Sequence, residues 1–240
     1  MSSGGSGLFE LSQELRIELE SFDTPTVCNA LELLASDRQG YGYTAGHLFC
    51  IRPQLKPIVG FARTARIRSR KPEARSRDDA RRHAAAYYAY IDAGPKPSVV
   101  IIEDIDSPKG HGSFWGEVNS SIHLGLGCRA VVTDGGVRDL PDLAPGFQVL
   151  AGSIIPSHAF VHVADFGGEV TVSGMKVIDG DLIHLDQHGA VVIPKEVAAE
   201  IPAAARRIQK AERRIINAAR EPGFTAALLS RLESGDGDIH

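Results

Sequence analysis

Apolar residues at Leu8, Leu11, Leu15 and Leu19 recur with the period of a helix, which predicts one over Leu8 to Phe22. Asp23-Thr24-Pro25-Thr26 follows, with a capping side chain and a proline suited to a first helical turn, and predicts a second helix to about Ser36. Tyr41 to Pro57 has no period. Ile58 to Ser69 alternates around Val59, Phe61, Thr64 and Ile67 and reads as a strand. Ser76 with Asp78 and Asp79 reads as a helix start, and the helix runs to about Asp92. Ser98 to Ile105 is a nearly unbroken apolar run, the pattern of a strand covered on both faces. Asp106 to Gly116 reads as a loop, Glu117 to Leu126 as a helix and Ala130 to Asp134 as another buried strand. Short strands are expected at Phe147 to Ala151, Ser157 to Ala164, Glu169 to Val172, Leu182 to Leu185 and Ala190 to Ile193. Lys195 to Arg220 carries one apolar stripe, with Pro202 either kinking that helix or marking its start, and a last helix is expected over Pro222 to Leu232. The tail from Glu233 to His240 reads as frayed.

Strands alternating with helices make this an α/β chain, and without a repeat or a clear linker one domain fits better than two. The chain has 240 residues, 43% of them hydrophobic, 23% charged and only 6% aromatic, so its core is built mainly from Val, Ile, Leu and Ala. The net charge of −4 argues against a dedicated nucleic-acid binder. The dense basic run from Arg66 to Arg82 lacks interleaved aromatics and reads first as a solvated face, with an anion-binding patch as the rival. Cys28, Cys50 and Cys128 form neither a disulfide framework nor a CxxC site, which points to a reducing, cytoplasmic setting. The Ser/Gly-rich start does not read as a signal peptide, and no apolar run is long enough to span a membrane.

Phosphate-loop, dinucleotide-binding, nucleophile-elbow and zinc-helix motifs are absent. His158 and His162, like His184 and His188, are four apart, but in strand-like sequence that spacing separates them by roughly 13 Å, a poor match to one metal. The informative stretch is Gly116 to Asp139. A glycine loop opens a helix at Gly116-Glu117, where free backbone N–H groups favour an anion. The next strand delivers Asp134-Gly135-Gly136-Val137-Arg138-Asp139 at its carboxyl end, where α/β folds place ligands. Arg138 can fork a carboxylate, Asp139 can hold a hard divalent cation with water filling the remaining positions, and Glu117 adds a second carboxylate. The set suits a small 2-keto acid with Mg²⁺ or Mn²⁺. The alternative is that Arg138 and Asp139 begin a surface helix and pair with neighbours.

This segment resembles the family that contains 4-hydroxy-4-methyl-2-oxoglutarate aldolase and the RraA-type regulators of ribonuclease activity. Asp23 to Leu31 is similar to the family's early helix, Ile58 to Thr64 to its first core strand, and Val177 to Pro194 to its closing block. The resemblance covers about residues 23 to 215. It implies a layered α/β/β fold of the swivelling type, assembled as a homotrimer or hexamer. It sets residues 1–22 apart as an N-terminal segment, 23–220 as the domain and 221–240 as a C-terminal helix and tail. It implies a divalent-metal-dependent lyase, an aldolase or an oxaloacetate-type decarboxylase, working through a pyruvate enolate. Asp139 would hold the metal, Glu117 would contact it through water, and a metal-bound water would shuttle the proton. Arg138 would bind the substrate carboxylate and keto oxygen, with the backbone around Gly116, Glu117, Val118 and Asn119 cradling the carboxylate. Glu212, on the C-terminal helix, would reach a neighbour's site. The same resemblance leaves a second reading, a protein-binding regulator with a vestigial site. Glu at 117, Asp179 before Gly180 and His188 depart from the family pattern.

Overall fold

Val99 and Ile101 point to one face of their strand, Val100 and Ile102 to the other, and all four are buried. That double burial requires a covering layer on each side, which is the plan of the molecule. The computed structural model describes residues 9–234. The expected features at Met1 to Gly7, the first residue of the expected N-terminal helix and the end of the tail lie outside the described residues.

In chain order the elements are α1 (Gln13–Leu19), α2 (Thr24–Leu34), β1 (Phe49–Cys50), β2 (Ile58–Arg68), α3 (Arg77–Ala93), β3 (Ser98–Asp104), β4 (Ser113–Trp115), α4 (Glu117–Gly125) and β5 (Cys128–Val137). They continue with β6 (Gln148–Ile154), β7 (His162–Phe166), β8 (Val170–Val172), β9 (Met175–Val177), β10 (Leu182–Asp186), β11 (Gly189–Ile193), α5 (Ile201–Arg220) and α6 (Ala226–Ser234). Nine strands form one mixed sheet in the order β1-β6-β5-β3-β2-β10-β11, with β4 added to β5 and β7 to β2. The strands β2, β3, β5 and β6 run parallel. β10 pairs antiparallel with the first half of β2 and β7 with its last residues. A separate β8–β9 hairpin lies over one face of the sheet.

On one face Val100, Ile102 and Val131 pack with Tyr87 and Ile91 of α3 and with Trp115 and Phe147. On the other, Val99, Ile101, Ala130 and Val132 meet Val170, Val172, Met175 and Val177 of the hairpin. The result is the layered α/β/β single domain. A third cluster packs α1, α2 and α5 onto β2, β10 and β11 through Leu19, Val27, Leu31, Phe61, Leu182 and Ile208.

Local chemistry sets the boundaries. Ser12, Asp23 and Ser76 each accept a backbone N–H from the first turn of their helices. Pro202 does not kink the last long helix: it lies in the first turn of α5, so residues 195–200 precede the helix. His184 is buried; its Nδ1 meets Thr24 Oγ1 at 3.0 Å and its Nε2 meets Leu19 O and Phe22 O at 3.2 Å each, tying the α1–α2 corner to β10. Because the two carbonyls only accept, Nε2 carries the proton and Nδ1 accepts from the threonine. Asp179 accepts from Arg63 Nη1 at 2.7 Å and from the Tyr90 hydroxyl, while the Arg63 guanidinium lies 3.6 Å from the Tyr90 ring centre. That carboxylate compensates a buried arginine. Half of the basic run is paired, Arg66 with Asp165, Arg68 with Asp106, Arg75 with Glu73 and Arg82 with Asp79.

Four expectations need correction. Ser113–Trp115 is a strand, not loop, and joins β5 at Gly136 and Val137. β5 does not stop at Asp134 but continues to Val137 past an irregularity in register. The strand expected over Ser157 to Ala164 begins only at His162. Met175–Val177, a strand not anticipated, completes the hairpin.

Candidate functional site

β5 ends beside the start of α4 because β4 bridges them. Arg138 N donates to Trp115 O at 3.0 Å, which brings Arg138 and Asp139 alongside Gly116, the N-cap of α4. No side chain from within the α4 segment caps the helix. Instead Glu117 N donates across the gap to Asp139 Oδ2 at 3.4 Å. A Cβ on Gly116 would stand 2.5 Å from that same oxygen, so a side chain there would push the carboxylate away. Arg138 Nε lies 3.5 Å from Asp139 Oδ2, and both side chains are little more than one-third exposed. Asp139 has φ 53°, a left-handed conformation that Asp tolerates better than most residues. Asp139 is the N-cap residue of a single 3₁₀ turn, Leu140–Asp142, so only a short helical turn follows Arg138 and Asp139.

The first turn of α4 is braced from below. Asn119 Nδ2 donates to Phe114 O at 2.6 Å, and its Oδ1 accepts from the Tyr88 hydroxyl of α3 at 2.9 Å. Ser120 Oγ donates to Glu117 O at 3.0 Å and accepts from Ala144 N at 2.9 Å. His123, fully buried, meets Asn119 O through Nδ1 at 2.7 Å and the Tyr87 hydroxyl through Nε2 at 2.8 Å. Its burial pushes the imidazole down to about 4, so it is neutral near pH 7. Glu117 and Val118 are exposed at the mouth, and the N–H groups of the first turn are those that helix geometry leaves without intrahelical partners.

The structure therefore brings Gly116, Glu117, Val118, Asn119, Arg138 and Asp139 together. Glu212 lies elsewhere: it follows Ala211, the last buried residue of α5, on a helix that packs with α1 and α2. Asp134 lies within β5; its Oδ1 accepts from Asp104 N at 2.8 Å and its Oδ2 from Lys109 Nζ at 2.5 Å, a structural role at the ends of β3 and β5. Among the described residues no group of three or more His, Cys, Asp or Glu is arranged to hold a metal. The four histidines in spaced pairs are engaged locally or buried.

The chemistry of the Asp139 carboxylate, with Glu117 exposed at the mouth and no histidine or cysteine alongside, suits Mg²⁺ or Mn²⁺, which prefer oxygen and retain several waters. Asp139 accepts one backbone N–H and pairs with Arg138 through the same Oδ2, so its remaining acceptor capacity is what a cation would use.

The linkage between Tyr88, Asn119 and the helix start was not anticipated from sequence. Tyr88 and Asn119 are 31 residues apart, on the helices α3 and α4 that precede and follow β3, and only the packing of those two crossovers brings them together.

The family model described as RraA-like: Aldolase/RraA matches residues 24–192. An uncharacterized protein of Methanocaldococcus jannaschii is 34% identical over 122 residues, covering 50% of this chain and 59% of that protein. Protein DlpA of Legionella pneumophila is 28% identical over 196 residues, 78% of this chain and 30% of its own length. The chain thus spans less than two thirds of either relative. The crystal structure of Streptomyces coelicolor RraAS2, described as an unusual member of the RNase ES inhibitor RraA family, superposes with a TM-score of 0.63 at 23% identity, covering 85% of this chain and 96% of that one. Among the described residues no helix is long and apolar enough to cross a membrane.

Proposed function

The chain belongs to the RraA-like family, which takes in both aldolases and RraA regulators, and on that premise we propose that it is a divalent-metal-dependent carbon–carbon lyase for a small 2-keto acid. One observation carries this reading: the end of β5 puts a guanidinium and a carboxylate directly against the open N-terminus of α4.

Asp139 would hold the cation, with Glu117 beside it. When bound, the cation supplies Lewis acidity toward the keto oxygen. The side chains divide the remaining work. Arg138 pairs with the substrate carboxylate and the keto oxygen through the guanidinium edge that Asp139 leaves free. The N–H groups at the start of α4 donate to the same carboxylate. As the bond between C3 and C4 breaks, negative charge gathers on the keto oxygen of the developing pyruvate enolate, and Arg138, already in place, stabilises it. Tyr88 and Ser120 hold the first turn of α4 so that its donors need not reorganise. Glu212 would complete the site of a neighbouring copy in a trimer or a dimer of trimers, because its own chain keeps α5 in a different cluster.

Pyruvate release from oxaloacetate and from 4-hydroxy-4-methyl-2-oxoglutarate, with Mg²⁺ and then with EDTA, tests this reading. Enzyme-dependent release abolished by chelation is the expected result. Rates no higher than those of the metal ion alone on both substrates would overturn it for these keto acids.

A second reading, a protein-binding regulator, is favoured by one feature. α4 exposes Val118 (68%), Ile122 and Leu124 beside the site, an apolar face of the kind that partners cover. Saturable binding to a ribonuclease at micromolar concentration, with no lyase activity, would support it.

A further inference from the structure

A cleft of ≈ 240 Å³ opens between α3, β4 and β7, on the side of α3 that carries Tyr88. It exists because α3 places two small residues, Ala80 and Ala84, on the helical face that also carries His83, Tyr87 and Tyr88. Larger side chains there would fill the space. The aromatic part of the wall is made by Tyr87, Tyr88 and Phe114. The polar part is made by His83, His162 and Glu73.

Each of the two imidazoles has a nitrogen without a protein hydrogen-bond partner. His162 Nδ1 lies 2.8 Å from Phe160 O, and a carbonyl only accepts, so the neutral ring bears its proton on Nδ1. Its Nε2 is then a bare acceptor, 4.0 Å from Glu73 Oε2 and so beyond hydrogen-bond distance. His83 Nε2 is shielded from solvent and has no hydrogen-bond partner. An unpartnered buried polar atom calls for a cause, and a missing ligand is one.

We propose that this cleft is a second ligand site, for a small neutral hydroxyaromatic ring whose hydroxyl donates to His162 Nε2 while the ring packs on Tyr88 and Phe114. The size fits: an enclosed cavity of about 150 Å³ accepts benzene, so this cleft has room for one substituted ring. The charge selects the class. Glu73 accepts from Arg75 N at 3.0 Å and Arg75 Nη1 at 2.8 Å; burial works to raise its carboxyl, but these donors hold it low. A carboxylate fixed in the wall repels an anionic ring and leaves a neutral hydroxyl as the matching group. Aliphatic alcohols would forgo the stacking that three aromatic walls offer. This site is separate from the Arg138–Asp139 cluster, and the inference stands whether or not the chain is a lyase.

Calorimetric titration of the full chain with p-cresol, p-xylene and p-toluate tests it. p-Cresol is expected to bind saturably, one molecule per chain, and p-xylene and p-toluate at least tenfold more weakly. Ala84→Leu, which replaces one good helix former by another at an exposed position, is expected to abolish p-cresol binding, and His162→Ala to weaken it at least tenfold. Absence of saturable p-cresol binding would overturn the proposal. Equal binding of p-xylene or p-toluate would do the same, as would unchanged p-cresol binding by Ala84→Leu or by His162→Ala with its fold verified by circular dichroism.

Discussion

Asp139 Oδ2 lies 3.4 Å from the backbone nitrogen of Glu117, so one carboxylate both faces the candidate cation position and caps the helix that would bind the substrate. The proposed metal site and the proposed anion cradle are therefore not independent, and a change at either reaches the other.

Substitution of Asp139 separates charge from conformation. Its left-handed backbone suits Asn almost as well as Asp, whereas Ala pays about 1 kcal/mol there. Asp139→Asn is expected to lower keto-acid cleavage at least 100-fold while shifting stability by less than about 1 kcal/mol. Asp139→Ala should lose the same activity and in addition melt lower. Steady-state rates and urea denaturation of both variants check this; an active Asp139→Asn protein would remove Asp139 from the chemistry.

Arg138→Lys keeps the charge but not the planar fork. We expect kcat/KM to fall roughly 100-fold, with the loss shared between KM and kcat because the guanidinium is read as serving both carboxylate and enolate. A loss confined to KM would limit Arg138 to ground-state binding.

Gly116→Ala introduces a Cβ 2.5 Å from Asp139 Oδ2. The expected outcome is a Mg²⁺ requirement raised at least tenfold with the fold intact, read from activity against Mg²⁺ concentration and from circular dichroism. An unchanged Mg²⁺ dependence would show that the carboxylate's position against α4 is not what matters.

The pH dependence of stability has a defined window. His123 is depressed by burial to about 4, and His184 is lowered by burial as well. In the unfolded chain both titrate near 6.5, so between 6.5 and the folded value the unfolded state binds more protons. Their contribution is complete above pH 6.5 and is lost as pH falls toward 4, on the order of 3 kcal/mol for His123. Burial acts to raise Asp106 and Asp186, yet their backbone N–H donors hold both below 3.8, and they add losses only below about pH 4. Asp104, raised by burial, works in the opposite sense near that point. Urea midpoints should hold level from pH 7.5 to about 6.5 and then fall toward pH 4.5, less steeply in His123→Gln. A flat profile above pH 4.5 would contradict the neutral state assigned to the two histidines.

The sequence makes contiguous chemistry legible and long-range contact illegible. Gly116-Glu117 and Arg138-Asp139 stand out because glycine, acid and guanidinium recur in short runs, and β3 stands out because its residues are apolar at both parities. β4 hides in a Gly/Pro/Ser stretch, since three residues cannot display a period and only pairing with Gly136 and Val137 makes them a strand. β5 reads as ending at Asp134 because Asp-Gly-Gly is turn chemistry. In the fold that Asp caps β3 through Asp104 N, and Gly135 fits where a side chain would crowd Ile67 and Thr133. The brace from Tyr88 to Asn119 leaves no local trace at all, because either residue alone is ordinary on a helix.

The pairing of β2 also has a temporal side. Its first half finds its antiparallel partner only in β10, roughly 120 residues later, which a ribosome adding about 5–20 residues per second needs some 6–25 s to deliver. Until then Val59 and Phe61 belong to an open sheet margin, with α1 and α2 already made but α5 not yet there to cover them. The nascent chain is thus exposed to aggregation for a period set by its topology rather than by its final stability, and slow translation through β3 to β9 lengthens that exposure.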